Sequence, residues 1–519
     1  MNKTFVLKDL LVDTPCETLA GDPAATPVSD IVSDSRKAAP GALFVCLPPI
    51  GADGADGHGY AAAAYEAGTR AFLCERMPDG LAGLDGVTVL RAADTRKALA
   101  LAAARFYDFP ARRVKLVGMT GTKGKTTISY MLQAIFQAAG KSVGLIGSNG
   151  IFYDDVHVKL LNTTPEPMRL HGFLADMADA GVEYVFLEAT SQGFFLDRTY
   201  GVDFDLGLYT NISTDHISKT EHPSFEHYFS CKQKIFSQTE TCIVNRDAER
   251  YDEIVAGAGD TRIVTYGFAP SSSSGDFNSS SSGLTRGSRA DYAARNIDCR
   301  MDGTRMTVRF DCRAPGWEAP ILLRMPGIFN ASNALAAIAV ADHYSIPTEH
   351  IQSGLASAVS PGRMEPVDVP APYTVLIDFA HNRLSMESLF ETAKAYRPRR
   401  ILCVFGLEGN RAHVRRFDSG EILGRDCDYT ILANASPRTD DPDRILEDIA
   451  AGIERGGGRG RYKICPDRRL AILQILDMAR EGDLVLLVGK GNVPYEEVRG
   501  VNVPFSERAV VDSYFRGVS

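Results

Sequence analysis

Gly121, Thr122, Lys123, Gly124, Lys125, Thr126 and Thr127 follow an apolar run at 114–118 and open a helix-forming segment. Glycines let backbone N–H groups crowd around an anion, and the following helix N-terminus adds positive partial charge. Lys125 adds a full charge, and Thr126 offers a hydroxyl to Mg2+. The segment reads as a phosphate cradle for a nucleoside triphosphate. A strict Walker loop would carry Gly at Met119, so this is a variant in which Gly118, Gly121 and Gly124 do the work. Two further apolar runs end in polar residues of similar character. Glu188 closes one and is followed by Ala189, Thr190, Ser191 and Gln192; Asn211 closes another and is followed by Thr214, Asp215 and His216. In an open parallel sheet ligands sit beyond the carboxyl ends of the strands. A carboxylate and an imidazole beside a phosphate loop suit Mg2+, which takes one or two protein ligands plus phosphate oxygens and water. The alternative is that Glu188 caps a neighbouring helix and His216 is a surface residue. Ser224 or Pro223 then starts a helix carrying His227, Tyr228, Cys231 and Lys232, where pattern alone makes Lys232 a solvated helix lysine.

The elements that must position these residues are those of a multidomain α/β chain. At 519 residues it is too long for one core and should divide into about three domains. Residues 1–107 alternate short apolar runs (42–47, 71–74, 87–90) with alanine-rich helical patterns (60–67, 95–106). Phe109-Pro110 marks the exit. Strands at 114–118, 142–146, 182–188, 206–211 and 242–245 alternate with helices at 126–139 and 225–236, implying parallel strands with crossovers. Helix 331–343 closes this middle part before Ile346-Pro347, giving boundaries of 108–346 and 347–519. The last part carries strands at 374–378, 401–405, 429–433 and 484–488 and helices at 386–395, 443–453 and 470–480. Serine runs at 271–274 and 279–282 read as a surface loop, and 456–460 as a flexible turn.

Bulk composition excludes several classes. A formal charge of -9 argues against a general polyanion binder, so nucleic acid is not an expected partner. Ten cysteines with no C-x-x-C pair fit reduced thiols better than a disulfide frame or a zinc site. The N-terminal apolar run is too short for a signal peptide, and no stretch of about 18 apolar residues occurs. A cytoplasmic monomer is expected.

Segments at 120–127, 162–167, 187–193, 210–216, 222–232, 326–337, 362–365, 378–382 and 489–491 together resemble the Mur ligase family, the ATP-dependent amide-forming enzymes of bacterial cell-wall precursor synthesis. The segment at 33–60 and the Thr120-Gly121-Thr122 form of the loop resemble its MurE-type members, which add the third residue of the stem peptide. The resemblance implies a three-domain architecture, with a UDP-substrate-binding domain, a central P-loop parallel-sheet ATPase domain and a Rossmann-like C-terminal domain. It places Ser33, Ser35, Asp53, Gly54 and Ala55 on the UDP end of the substrate. Asn162, Thr163, Thr164, Thr190, Ser191 and Arg198 fall on the muramoyl dipeptide, although the family has Gln where this chain has Leu196. ATP would be held by Gly121 to Thr127 with Asn333, Arg363 and Asp378, and Mg2+ by Thr126, Glu188 and His216.

Lys232 falls on the lysine that the family carries as a carbamate, a fourth Mg2+ position. An ammonium would be repelled by the metal, whereas an N-carboxylate is a hard oxygen ligand. A lysine of pKa about 10.4 is neutral in only roughly 1 molecule in 2,500 at pH 7, so the site must bias it toward the carbamate. The reaction implied is attack of the D-glutamate γ-carboxylate of UDP-N-acetylmuramoyl-L-alanyl-D-glutamate on ATP, giving an acyl phosphate that an amine displaces. Lys125, Glu188, His216 and Lys232 are the expected catalytic set, and the joins near Phe109 and Pro347 the expected hinges.

The C-terminal domain should select the amine. Arg411, Ser436, Arg438 and Gly489 match the family's amino-acid site, and an arginine fork suits a carboxylate. Ala435 and Val493 depart from the pattern of the diaminopimelate-adding members, the latter losing an acidic residue for which Glu496 or Glu497 lies close in sequence. The segments around 222, 191 and 379 look more like lysine-adding members. The expectation is therefore L-lysine, with meso-diaminopimelate or ornithine as alternatives. Arg438 could instead be a structural partner of Asp440 or Asp441. A non-catalytic nucleotide-binding paralogue is the remaining rival; the 33–44 segment argues against folylpolyglutamate- or cyanophycin-type ligases.

Overall fold

The computed structural model describes residues 3–51, 54–213, 217, 221–269 and 290–517. Asp53, Thr214, Asp215, His216 and both serine runs lie outside them. The chain divides into two compact units, one of residues up to 129 with 139–266, the other of 130–138 and the chain from 291 onward.

The first unit holds two sheets. Strands Cys16–Ala20, Thr88–Ala92, Ala71–Cys74, Ala42–Val45 and Asp30–Val32 lie in that order, the last four mutually parallel. Ala42–Val45 and Ala71–Cys74 are buried at every position. That is why they read as unbroken apolar runs rather than alternations. Helix Thr95–Phe106 has the bounds the sequence implies, because the Asp94 carboxylate accepts from the N–H groups of Arg96 and Lys97 and fixes its start. In the second sheet Val143–Gly147, Tyr184–Glu188, Lys115–Thr120, Leu206–Tyr209 and Thr241–Asn245 run parallel in that order. Their register sets Glu188 opposite Met119, and Tyr209 opposite Thr120, so their polar carboxyl ends come level. A hairpin, Gly150–Tyr153 with Val156–Val158, extends one edge antiparallel. The helix expected over 225–236 ends at Gln233 and tightens into a 3-10 turn, Lys234–Gln238.

The second unit contains an antiparallel sheet of Tyr292–Asp302, Arg305–Ala314 and Trp317–Leu323, followed by helix Ile328–His343. Its other sheet orders Glu365–Val367, Thr374–Asp378, Leu484–Val488, Ile401–Phe405, Tyr429–Leu432 and Tyr462–Ile464, parallel except for the first strand. Helices Val414–Asp426 and Pro442–Arg455 pack backbone against backbone on this sheet: a Cβ at Gly424 would meet the Ile453 carbonyl oxygen at 2.2 Å. None of the ten cysteines forms a disulfide. Among the described residues no helix is long and apolar enough to cross a membrane.

Candidate active site

The glycine loop joins strand Lys115–Thr120 to helix Lys125–Ala138. Gly121 has φ +136° and a Cβ there would meet Thr210 Oγ1 at 2.0 Å, so only glycine lets the loop lie against the neighbouring strand end. Asn211 holds the loop from the side: its Oδ1 accepts from Lys123 N at 2.9 Å and its Nδ2 donates to Lys123 O at 3.2 Å. Thr210 Oγ1 adds a bond to Lys123 O at 2.7 Å. Gly118 has a different role from the one its spacing suggests. It sits inside the strand, where a Cβ would meet the Phe204 ring at 2.7 Å, and so serves packing rather than the phosphate cradle.

Two lysines reach the loop. Lys125 Nζ donates to the carbonyl oxygen of Gly121 at 2.6 Å, and Lys232 Nζ donates to the same oxygen at 2.9 Å. Lys232 is not a solvated helix lysine but is buried, with its amine 4.7 Å from the centre of the Tyr228 ring. Ser224 caps its helix by accepting from His227 N, which aims Tyr228 and Lys232 inward. The Tyr228 hydroxyl meets Thr122 Oγ1 at 2.9 Å, tying helix to loop.

Glu188 is buried at the end of its strand and caps no helix backbone. Its carboxylate accepts from Thr126 Oγ1, Ser148 N and Ser148 Oγ, each at 3.1 Å. Gly147 makes room for it, since a Cβ there would meet Glu188 Oε1 at 2.2 Å. Thr126 and Glu188 thus present hard oxygen donors beside the cradle, a set that fits Mg2+. Thr127 lies one residue further into the helix and is buried.

Behind Glu188, Thr164 Oγ1 donates to its carbonyl oxygen at 2.8 Å and meets Thr190 Oγ1 at 2.9 Å. Arg198, 4% exposed, bonds the Thr164 carbonyl oxygen and pairs with Glu166 at 2.6 Å. Thr163 Oγ1 meets Ser148 Oγ at 3.2 Å, and Ser191 Oγ meets His222 Nε2 at 3.0 Å. Asn162 is exposed next to them in sequence, and Leu196 is buried. The structure therefore gathers Thr163, Thr164, Thr190, Ser191 and Arg198 around the Glu188 strand end. Ser33, Gly54 and Ala55 lie on loops of the first small sheet, and Ser35 opens a 3-10 turn capped by Asp34.

In the second unit, Asp378 ends its strand and accepts from Met364 N at 2.6 Å and Ala380 N at 2.7 Å. Burial pushes its carboxyl above the usual range, opposed by the Arg363 guanidinium and these two N–H groups. Arg363 lies over the Phe379 ring at 5.3 Å. Asn333 sits on helix Ile328–His343, donating to Asn330 Oδ1 at 3.0 Å. Arg411 and Arg438 meet a residue that sequence reading passed over: their Nη2 atoms lie 3.4 and 3.1 Å from the same Glu408 Oε2. Glu497 adds a contact of 3.4 Å to Arg438 Nε. Neither Asp440 nor Asp441 is the partner of Arg438, because Asp440 pairs with Arg416 and Asp441 caps helix Pro442–Arg455. Arg438 holds φ +56°, a left-handed conformation costly for a side-chain-bearing residue. Ser436 Oγ accepts from Glu497 N at 3.2 Å. Gly489 approaches Gly406 so closely that a Cβ would lie 1.9 Å from its carbonyl oxygen. Burial lowers the Lys490 amine to about 8, and it donates to the carbonyl oxygens of Val493 and Tyr495.

Comparison with known proteins bears on this arrangement. A family model of the Mur ligase middle domain matches residues 119–341, and one of the Mur ligase glutamate ligase domain matches residues 362–491. A UDP-N-acetylmuramoyl-L-alanyl-D-glutamate–2,6-diaminopimelate ligase of Clostridium botulinum is 32% identical over 95% of this chain and 96% of its own. Its namesake in Clostridium perfringens is 31% identical over 99% of this chain and 100% of its own. A solved structure of a ligase with that name is 23% identical, covers 99% of each chain and has a TM-score of 0.69, which shows the three-domain fold. The expectation of L-lysine finds no support in these relatives, both named for 2,6-diaminopimelate; the features that favoured lysine lie outside the Arg411–Arg438 cluster. The chain belongs to the Mur ligase family of ATP-dependent amide-bond-forming ligases, among its MurE-type, tripeptide-forming members.

Proposed function

We propose that this chain joins meso-2,6-diaminopimelate to the D-glutamate γ-carboxylate of UDP-N-acetylmuramoyl-L-alanyl-D-glutamate, using ATP and Mg2+, in peptidoglycan precursor synthesis. The observation that carries the ATP step is the shared acceptor: Lys125 and Lys232 both bond the Gly121 carbonyl oxygen. Two ammonium groups on one oxygen repel, and carboxylation of Lys232 replaces one of them with an anion. Mg2+ held by Thr126, Glu188 and carboxylated Lys232 would neutralise charge on the phosphates. Lys125 stabilises the γ-phosphoryl group as the γ-carboxylate attacks it in line and ADP leaves. Thr164, Thr190, Ser191 and Arg198 orient that carboxylate, the amine of the incoming amino acid attacks the acyl phosphate, and phosphate departs. His216, outside the described residues, belongs to the same proposed metal set, and Asp53 to the UDP-binding one.

For the amine, support comes from the relatives' names and from the Glu408 cluster. Arg411 and Arg438 offer forked donors for a carboxylate, and Glu408 between them suits an ammonium, so together they match the zwitterionic distal end of diaminopimelate. L-lysine lacks that carboxylate and would leave the two guanidiniums with only their Glu408 and Glu497 partners. We read the chain as three domains, 1–107, 108–346 and 347–519, acting as a cytoplasmic monomer.

Purified protein with ATP, Mg2+ and the UDP-muramoyl dipeptide tests this reading, with phosphate release followed across meso-diaminopimelate, L-lysine, L-ornithine and L-glutamate. Release that depends on diaminopimelate is expected. Release with L-lysine alone would overturn the choice of amine, and ATP binding without release under any amine would favour the non-catalytic paralogue.

A further inference from the structure

The helix that carries Lys232 also bears side chains for which the ligase reaction has no task. His227 and Cys231 lie four residues apart on Phe225–Gln233 and so share one face. His222 approaches them from the segment before the helix. Donor atoms of the three all lie within 4.8 Å of one another. His222 Nδ1 stands 2.9 Å from His227 Nδ1, and Cys231 Sγ stands 4.0 Å from each ring nitrogen of His227. His222 and Cys231 are buried, and His227 is half-buried. The Phe195 ring packs 4.8 Å from His227 and 5.9 Å from His222, giving the cluster an apolar wall.

A second observation points to a ligand. His222 Nε2 is engaged by Ser191 Oγ at 3.0 Å, which directs Nδ1 toward the other two donors. Such an outer bond is what orients a metal-binding imidazole. Two imidazole nitrogens and a thiolate make a donor set suited to zinc and not to magnesium. Around a tetrahedral zinc the N···N and N···S separations are about 3.3 and 3.6 Å, so donors that lie within 4.8 Å of one another need shifts of up to about 1 Å to close on an ion.

We propose that His222, His227 and Cys231 form a binding site for a soft divalent cation of the zinc type, distinct from the Mg2+ position at Thr126 and Glu188. Binding releases the Cys231 thiol proton to solvent, forms one metal–sulfur and two metal–nitrogen bonds, and leaves a fourth position for water. The bound ion pins the segment around His222 to the helix of Lys232. Cysteine spacing does not reveal the site because its ligands follow a His-x4-His-x3-Cys pattern rather than paired cysteines.

Cobalt is the probe. Untagged full-length protein, dialysed against Co2+ with Mg2+ in large excess, is expected to retain one cobalt per chain. It should show tetrahedral visible bands together with a thiolate-to-cobalt charge-transfer band in the near ultraviolet. Cys231→Ser should abolish the charge-transfer band, and His227→Gln, at a half-exposed position, should weaken cobalt retention at least tenfold while thermal unfolding stays cooperative. No thiolate band in the unmodified protein, or a band and stoichiometry that survive both substitutions, would overturn the proposal.

Discussion

Lys232 Nζ donates to the carbonyl oxygen of Gly121 at 2.9 Å, although 111 residues separate them. The contact places the side chain of a buried helix lysine at the mouth of the phosphate loop, where Lys125 already bonds the same atom.

Lys125→Ala removes the charge that faces the transferring phosphoryl group. Stabilisers of this kind are worth about 2.7–4 kcal/mol, so kcat should fall roughly 10²–10³-fold. The Lys125 amine bonds the carbonyl oxygens of Gly121 and Thr122, on its own loop, so the thermal midpoint should change little. Phosphate release at saturating substrate measures the first quantity and calorimetry the second; a loss under roughly tenfold would contradict the role.

Arg438→Lys keeps the charge at the Glu408 cluster but loses the fork. Hydrogen bonds to charged groups contribute about 1.5–3 kcal/mol, so KM for diaminopimelate should rise roughly 10–100-fold with kcat nearly unchanged. Steady-state kinetics with the amino acid varied would read this split. An unchanged KM would remove Arg438 from the amino-acid site.

His171 is 1% exposed, neither ring nitrogen has a hydrogen-bond partner among the described residues, and burial lowers its pKa to about 4. In the unfolded chain it titrates near 6.5. Above pH 6.5 the ring is neutral in both states and stability is unaffected. As pH falls from 6.5 to about 4 the unfolded chain takes up the proton first, and stability drops by an amount on the order of 3 kcal/mol. His171→Leu should remove that acid sensitivity and raise the midpoint at pH 5, as followed by thermal melts between pH 4 and 8. A variant that keeps the same pH slope would contradict this account.

Most parallel strands were legible because buried strands read as unbroken apolar runs: 71–74, 374–378, 401–405 and 484–488 match the observed strands residue for residue. The antiparallel strands Tyr292–Asp302 and Arg305–Ala314 were not, because Arg295, Asp298, Arg300, Arg305 and Arg309 stud them with charge and hide the apolar alternation. In the site, the loop and Glu188 were marked by local motif, whereas Lys232 was marked by the family resemblance alone, its pattern being that of a solvated helix lysine. Ser148 and Tyr228 were not marked locally, since their partners lie 40 and 106 residues away, and Glu408 was not, since it stands between two arginines only once Arg438, 30 residues on, joins the nearby Arg411. Gly118 misled because its spacing matched the loop while its neighbour Phe204, remote in sequence, decided its use.

The most direct measurement of the central claim is chemical rescue at position 232. Lys232→Ala should lose nearly all diaminopimelate-dependent phosphate release and recover part of it when a short carboxylic acid is supplied, because the acid restores the oxygen ligand the carbamate provides. Full activity of Lys232→Ala without any additive would contradict the account.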